Sequence, residues 1–310
     1  MEKSILKHLN INAKEIDPIL QNIHSSYLSY PISKSDKKKL RWIDAPLGQL
    51  KTLQYNILYN VVYKVRPHEA AVGFRVNRSV KTGAERHLGN KVILTMDISN
   101  FFNSIKISWV NRVLTLCAYR ALGIKQDSFK EGDEMCNVLD SHYLASICCY
   151  KNQLPQGAPT SPAIANLYAM QMDSRLQKIS DNNGLTYTRY ADDMTFSHPN
   201  SKYDIGKHIV QIEEVVKDHS LKLNHKKTRI LRPHRRMNVT GVVINDKLGV
   251  PKYVWRNMRA KLHNLVKENN TITLLEYQKI RGKCEWIRSL NQTRGEQLLK
   301  KLSKIPLKNS

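Results

Sequence analysis

The segment Leu185-Thr186-Tyr187-Thr188-Arg189-Tyr190-Ala191-Asp192-Asp193-Met194-Thr195-Phe196-Ser197 decides how this chain is read. Two apolar, β-prone runs flank an adjacent pair of carboxylates. That is the pattern of two strands joined by a tight turn with both acids at its tip. Neighbouring aspartates repel each other, so a fold that holds them close normally supplies a cation. Aspartate is also an ordinary turn residue, and taken alone the pair is compatible with a solvated turn.

A third carboxylate shifts that balance. Val92-Ile93-Leu94-Thr95-Met96-Asp97-Ile98-Ser99-Asn100-Phe101-Phe102 is a buried-strand run that ends in an acid and is followed by a turn and two aromatics. A strand apolar on both faces that stops at Asp97 places this carboxylate at a sheet edge, where a second strand can bring in Asp192. Three acids converging on two Mg²⁺ ions hold the attacking and leaving oxygens of a phosphoryl transfer in line. Mg²⁺ suits such a site because it takes few protein carboxylates and leaves positions for phosphate and water.

Between the acids lies Lys151-Asn152-Gln153-Leu154-Pro155-Gln156-Gly157-Ala158-Pro159-Thr160-Ser161-Pro162. Its prolines and glycine forbid regular structure up to Pro162, which suits the first turn of the helix that follows. Its small residues let a backbone approach a ligand closely. The stretch reads as a rigid substrate platform, or more simply as a loop and helix cap.

Net charge is +24 over 310 residues, as expected of a chain that meets polyphosphate. The charge is uneven: residues 221–310 hold 22 Lys and Arg against 5 acids, a net +17, and the first 220 residues hold +7. A solubilising surface mixes both signs; neutralised phosphates account for the asymmetry better. In this basic third Val254, Met258, Leu262 and Val266, then Ile280, Cys284 and Ile287, recur at helical spacing and predict two or three helices. Arg256, Arg259, Lys261, Lys267, Lys279, Arg281 and Lys283 lie on their other faces. Tyr253 and Trp255 are placed either to stack on bases or to be buried.

Cys117, Cys136, Cys148, Cys149 and Cys284 form no Cys-x-x-Cys pair, and the 11 histidines show no ligand spacing. Zinc and redox chemistry are therefore not expected. Without a signal peptide or long apolar run, the protein is expected in the cytoplasm with no membrane partner. Residues before about Pro31 read as helical.

The order Asp-x-x-x-Phe-Phe, Leu-Pro-Gln-Gly-x-x-x-Ser-Pro, Tyr-Ala-Asp-Asp and Leu-Asn-x-x-Lys-Thr resembles the palm of a reverse transcriptase; the last motif is Leu223-Asn224-His225-Lys226-Lys227-Thr228. Within that family the chain most resembles bacterial retron enzymes. Val239-Thr240-Gly241 matches their Val-Thr-Gly thumb signature. Gly83-Ala84-Glu85-Arg86-His87 sits where they carry Asn-Ala-x-x-His, with glycine at the first position here. The resemblance spans roughly residues 35 to 290.

It implies an α+β right-hand polymerase with a small antiparallel palm sheet and a helical thumb. Residues 1–90 would form N-terminal helices and fingers, 91–240 the palm with an interleaved fingers segment at about 107–150, and 241–310 the thumb. Asp97, Asp192 and the Ile98 carbonyl would hold two Mg²⁺ ions, for which Mn²⁺ can substitute, with Asp193 close by. Lys227 would protonate the leaving pyrophosphate. Lys38, Lys39 and Arg41 would touch the dNTP triphosphate, Gln156 and Gly157 would line nucleotide and template, and Phe102 would exclude a 2′-hydroxyl. Ala84, His87, Arg235, Arg236, Val239, Thr240 and Gly241 would contact RNA.

The implied activity is RNA-directed DNA synthesis on the enzyme's own structured noncoding RNA. The product would be DNA branched from an internal guanosine 2′-hydroxyl (msDNA), serving antiphage defence with a separate effector protein. At 310 residues no room remains for an RNase H domain, so removal of template RNA is expected from a host RNase H. The alternatives are another bacterial reverse transcriptase, of the diversity-generating or standalone defence kind, and a non-catalytic RNA-binding protein.

Overall fold

A computed structural model describes residues 4–33, 40–124 and 141–308. Its centre is a four-stranded antiparallel sheet made by β3 (Val92–Asp97), β4 (Thr186–Tyr190), β5 (Asp193–His198) and β6 (Arg229–Leu231), in the order β4-β5-β3-β6. A separate hairpin pairs β1 (Tyr27–Ser33) with β2 (Leu40–Pro46), and a second, very short one pairs β7 (Asn238–Val239) with β8 (Val242–Val243). The N-terminal stretch is less helical than its sequence suggests: helices cover Ile5–His8 and Ala13–Gln21, but a strand already begins at Tyr27.

The two-residue periodicity of the central strands explains the layers. Successive strand side chains point to opposite faces, so Val92, Leu94 and Met96 enter one core while Ile93 enters another. The first core packs Met194, Phe196 and Tyr187 against helices Ile107–Ala121, Ser161–Tyr168 and Met170–Asn182. On the opposite face the strands are polar, with Thr95, Thr188, Thr195 and Ser197 in facing register beside Asp97 and Asp193. Helix Val80–Glu85 lies over the β4 part of that face, which buries Thr188 and Ser197.

The second core is built from Ile93, Ala84 and the C-terminal third. Helices Lys252–Lys267, Leu274–Leu290 and Gln292–Leu302 bury Met258, Leu262, Ile280, Cys284 and Ile287, the stripes expected from their spacing. Thr273 and Glu276 close a capping box at the start of the second helix. Within the C-terminal third the buried residues of this core begin at Met237, and residues 240 and 241 lie between β7 and β8. Thr240 and Gly241 form its turn, both with positive φ (46° and 86°), a backbone that glycine adopts without cost.

Candidate active site

Asp97 ends β3 and Asp193 opens β5, and the register pairs them directly. Asp192 occupies the turn between Tyr190 and Asp193, and its carbonyl accepts a hydrogen bond from the Ile98 N–H at 2.9 Å. The motif containing Lys227 runs alongside: the Asn224 N–H donates to the Asp97 carbonyl at 2.8 Å, and Leu223 bridges Ile98. A short 3₁₀ turn, His225–Lys227, then aims Lys227 back so that its Nζ lies 2.7 Å from Asp97 Oδ2. Sequence positions 130 residues apart thus meet at one end of the sheet.

Electrostatics mark this end as frustrated. Loss of surrounding water, with Asp192 and Asp97 adding their charges, raises the Asp193 carboxyl to about 6 although its side chain is open to solvent. Burial and the charge of Asp97 likewise push Asp192 above the usual carboxylate range. Burial works against the Lys227 ammonium, but its hydrogen bond to Asp97 and the three negative charges outweigh that and raise its pKa. Arg41, on β2, lies close enough to favour the ionised form of both Asp192 and Asp193.

The Leu-Pro-Gln-Gly loop is clamped under the β1–β2 hairpin. The Gln156 carbonyl accepts the Asp44 N–H at 2.7 Å. Gly157 has φ +128°, and a Cβ there would stand 2.8 Å from the Asp44 carbonyl oxygen and from Ile43 Cγ2. Only glycine permits that approach. Pro162 lies in the first turn of helix Ser161–Tyr168. Phe102, in the short helix Phe101–Ser104 after Asp97, is half-buried with its ring 5.6 Å from that of Phe101. Lys38 and Lys39 lie outside the described residues.

Three of the residues expected to contact RNA are buried. Ala84 and His87 are wholly buried, Ala84 in the second core and His87 between β-strand hydroxyls, so neither side chain is accessible to RNA. Val239 is buried in the second core as well. Thr240 and Gly241 remain at a hairpin turn, and Arg235 and Arg236 are exposed just before it. The Arg236 guanidinium lies over the ring of exposed Tyr253, 5.9 Å from its centroid.

A further set of residues, given no role by the sequence, positions the Ala191–Asp193 turn. Arg189 is fully buried and grips Asp173 through Nε at 2.8 Å and Nη2 at 2.6 Å. Its Nη1 donates to the Asn166 side chain at 3.1 Å and to the Ala191 carbonyl at 3.0 Å. Ala191 sits at φ +55°, a left-handed backbone that alanine adopts reluctantly, and Arg189 pins it. Gly73 packs against the same turn; a Cβ there would lie 3.0 Å from the Tyr190 ring. The signal in the sequence is the charge itself: an arginine inside a Tyr-Thr-Arg-Tyr strand needs a buried partner.

Residues 32–244 match the reverse transcriptase (RNA-dependent DNA polymerase) family. The retron Ec86 reverse transcriptase of Escherichia coli is 32% identical over 304 residues, covering 97% of this chain and 88% of that protein. The retron Mx162 reverse transcriptase of Myxococcus xanthus is 30% identical, over 90% of this chain and 61% of that protein. Among solved structures, a Candida tropicalis telomerase in complex with a fragment of telomeric RNA shares the fold, with a TM-score of 0.51, 12% identity, and coverage of 94% of this chain and 58% of that one. The chain belongs to the reverse transcriptases and has the right-hand α+β fold. Within them it belongs to the retron reverse transcriptases, and it is an RNA-directed DNA polymerase.

Reverse transcriptases work with divalent metal ions. Among the described residues no three acid, imidazole or thiol groups stand close enough to cage an ion unaided. The mutually repelling carboxylates, with a lysine drawn onto Asp97, are a donor set in want of a cation. No helix among the described residues is long and apolar enough to cross a membrane.

Proposed function

We propose that Asp97, Asp192 and Asp193 form the metal-binding centre of DNA synthesis on RNA, with two Mg²⁺ ions held chiefly by Asp97, Asp192 and the Ile98 carbonyl. The observation that carries this reading is their convergence with Lys227 at one sheet end, beneath a hairpin that brings Arg41 over them. When bound, the metal supplies charge neutralisation at the attacking and leaving oxygens. Lys227 then exchanges Asp97 for the departing pyrophosphate, to which it gives a proton. Arg41, with Lys38 and Lys39, holds the triphosphate of the dNTP; Gln156 and Gly157 bed the template pair; and the Phe102 ring stands where a ribose 2′-hydroxyl would fall.

In this reading residues 1–90 are N-terminal helices and fingers, 91–240 the palm with an interleaved fingers segment at about 107–150, and 241–310 the thumb. The template is the enzyme's own structured noncoding RNA, primed from an internal 2′-hydroxyl to give msDNA. Antiphage defence with a separate effector protein, and removal of template by a host RNase H in the cytoplasm, complete it. Incubating the protein with its noncoding RNA, Mg²⁺ and labelled dNTPs should give DNA that stays joined to RNA on a denaturing gel. Asp97→Asn should lower the rate about a thousandfold or more, the loss expected when several kcal/mol of charge stabilisation disappear, while RNA binding persists. Near-normal incorporation by this variant would overturn the assignment.

Exposed Arg235 and Arg236, at the root of the +17 third, are read as phosphate contacts that recognise RNA shape. Replacing both with alanine should flatten the dependence of log affinity on log salt by about one unit per lost contact. An unchanged slope in a salt titration would remove them from the RNA interface.

A further inference from the structure

Helix Gly48–Asn60 buries Leu50, Gln54, Ile57 and Leu58 and leaves Tyr55 and Tyr59 outward; Tyr63 continues the line from the 3₁₀ turn Val62–Lys64. The three are 40%, 58% and 43% exposed. Their ring centroids are separated by 6.1 and 5.6 Å. Single exposed aromatics are unremarkable, but three in sequence form a continuous strip.

The strip leads toward the active site. Tyr63 lines an open cleft of about 530 Å³ together with Phe74, Val76, Arg66, Arg75 and Arg78. Phe74 and Val76 are themselves exposed. On the far side of the cleft the Phe74 ring lies 5.5 Å from Tyr190, the residue that enters the catalytic turn. An aromatic line therefore runs from the hairpin carrying Asp192, through Phe74 and across the cleft, to Tyr63, Tyr59 and Tyr55. Its flanks are cationic. Glu69, the one acid lining the cleft among the described residues, faces Arg75 and Arg78 at 3.0 Å each and Arg86 at 3.9 Å. Arg66 adds another charge to the rim, while Lys51 and Lys64 are exposed at the two ends of the tyrosine strip.

We propose that this line binds single-stranded template RNA ahead of the point of synthesis. Bases stack on Phe74, Tyr63, Tyr59 and Tyr55, and phosphates face Arg66, Lys51 and Lys64. Aromatic platforms bordered by positive charge are how proteins hold single strands. The ring steps far exceed the roughly 3.4 Å rise of a stacked duplex strand, so they suit bases splayed onto side chains. The surplus of cations favours a polyanion over an apolar protein partner. This inference rests on the reading of the Asp97–Asp192 end as the polymerase centre.

The test measures binding apart from synthesis. RNA templates annealed to one labelled DNA primer carry a single-stranded overhang of about two or about twelve nucleotides, within the span of single-strand sites. Fluorescence anisotropy gives the affinity for each, and dNTP incorporation by the unaltered protein checks the polymerase reading independently. The unaltered protein should bind the long overhang about tenfold or more tightly than the short one. In the triple variant Tyr55→Ala/Tyr59→Ala/Tyr63→Ala that ratio should collapse toward one, with the melting temperature unchanged. The matching triple replacement by phenylalanine should keep it. If the alanine variant retains the long-overhang advantage, the strip does not bind template and is left as a surface for a protein partner. If the phenylalanine variant loses it too, the contact is through hydroxyls and the stacking proposal is wrong.

Discussion

At one end of the central sheet Asp97 and Asp193 face each other across β3 and β5; at the other, His87 is held between Thr188 on β4 and Ser197 on β5. The same polar face of the same strands carries both. At the His87 end every demand is met. The Ser197 hydroxyl accepts from the Asn90 amide, and the two ring nitrogens of His87 share hydrogen bonds with Ser197 Oγ at 2.6 Å and Thr188 Oγ1 at 2.7 Å. At the aspartate end three like charges share one lysine and one arginine. A fold that satisfies one end fully and leaves the other in conflict has reserved the second for a ligand. The first end should then fail as structure, and the second as activity.

The buried clamp between them bears the largest structural load. Arg189 and Asp173 are both fully shielded from solvent. Arg189→Met leaves the Asp173 carboxylate buried without its partner, a change that costs about 3–5 kcal/mol and should lower the melting temperature by roughly 10 °C. Adding Asp173→Leu should restore most of that stability, because a well-packed apolar pair replaces the ion pair with little net loss. Synthesis should stay impaired in the double variant, since the Ala191 carbonyl has lost its anchor. A double variant with full activity would reduce Arg189 to a core residue.

The satisfied end has a pH signature. Burial, and secondarily the charge of Arg86, lowers the His87 pKa to about 3. An unfolded histidine takes a proton below about 6.5, whereas the folded one refuses it until about 3. The unfolded state binds more protons in that window, so His87 leaves stability intact above pH 6.5 and erodes it as pH falls toward 3. The slope is up to about 1.4 kcal/mol per pH unit, near 2 kcal/mol at pH 5. In His87→Phe this part of the acid sensitivity should vanish, at the price of the ring's two hydrogen bonds to Ser197 and Thr188 at neutral pH. Urea titrations at pH 5 and pH 8 on both proteins would decide; equal pH slopes would mean that His87 is hydrated in solution.

How far these two ends were legible in the sequence follows from the same physics. The aspartate end was readable because its acids lie at strand ends, where the two-residue period and the tight turn dictate their placement. The helical stripes of the thumb were readable for the same periodic reason. His87 was assigned to RNA through the motif resemblance alone; its burial depends on helix Val80–Glu85 settling on β4, a long-range contact that no local pattern encodes. Arg189 lay in plain view within the decisive segment, but its partner Asp173 sits 16 residues earlier on a different element. Val239 and the hairpin that carries it were assigned by motif alone, and packing placed them in the second core.

The smallest expected effect sharpens the contrast most, because its sign is reversed. The Asp193 carboxyl rises to about 6 through loss of water and the charges of Asp192 and Asp97, against about 3.9 when unfolded. Between those values the folded state holds the extra proton. Stability in the metal-free protein is therefore present below about pH 4 and is lost as pH rises through 6, opposite to the slope from His87. Asp193 is exposed, so solvent screening keeps the effect below about 1 kcal/mol. Asp193→Asn, melted in chelator at pH 8, should be slightly more stable than the unaltered protein and nearly equal to it at pH 4. Mg²⁺ should narrow the pH 8 gap, since a bound cation stabilises the folded carboxylates and displaces the proton they compete for. If the asparagine variant is less stable at pH 8 in chelator, Asp193 is a structural acid held by partners of its own, and the aspartate end is no more conflicted than the His87 end.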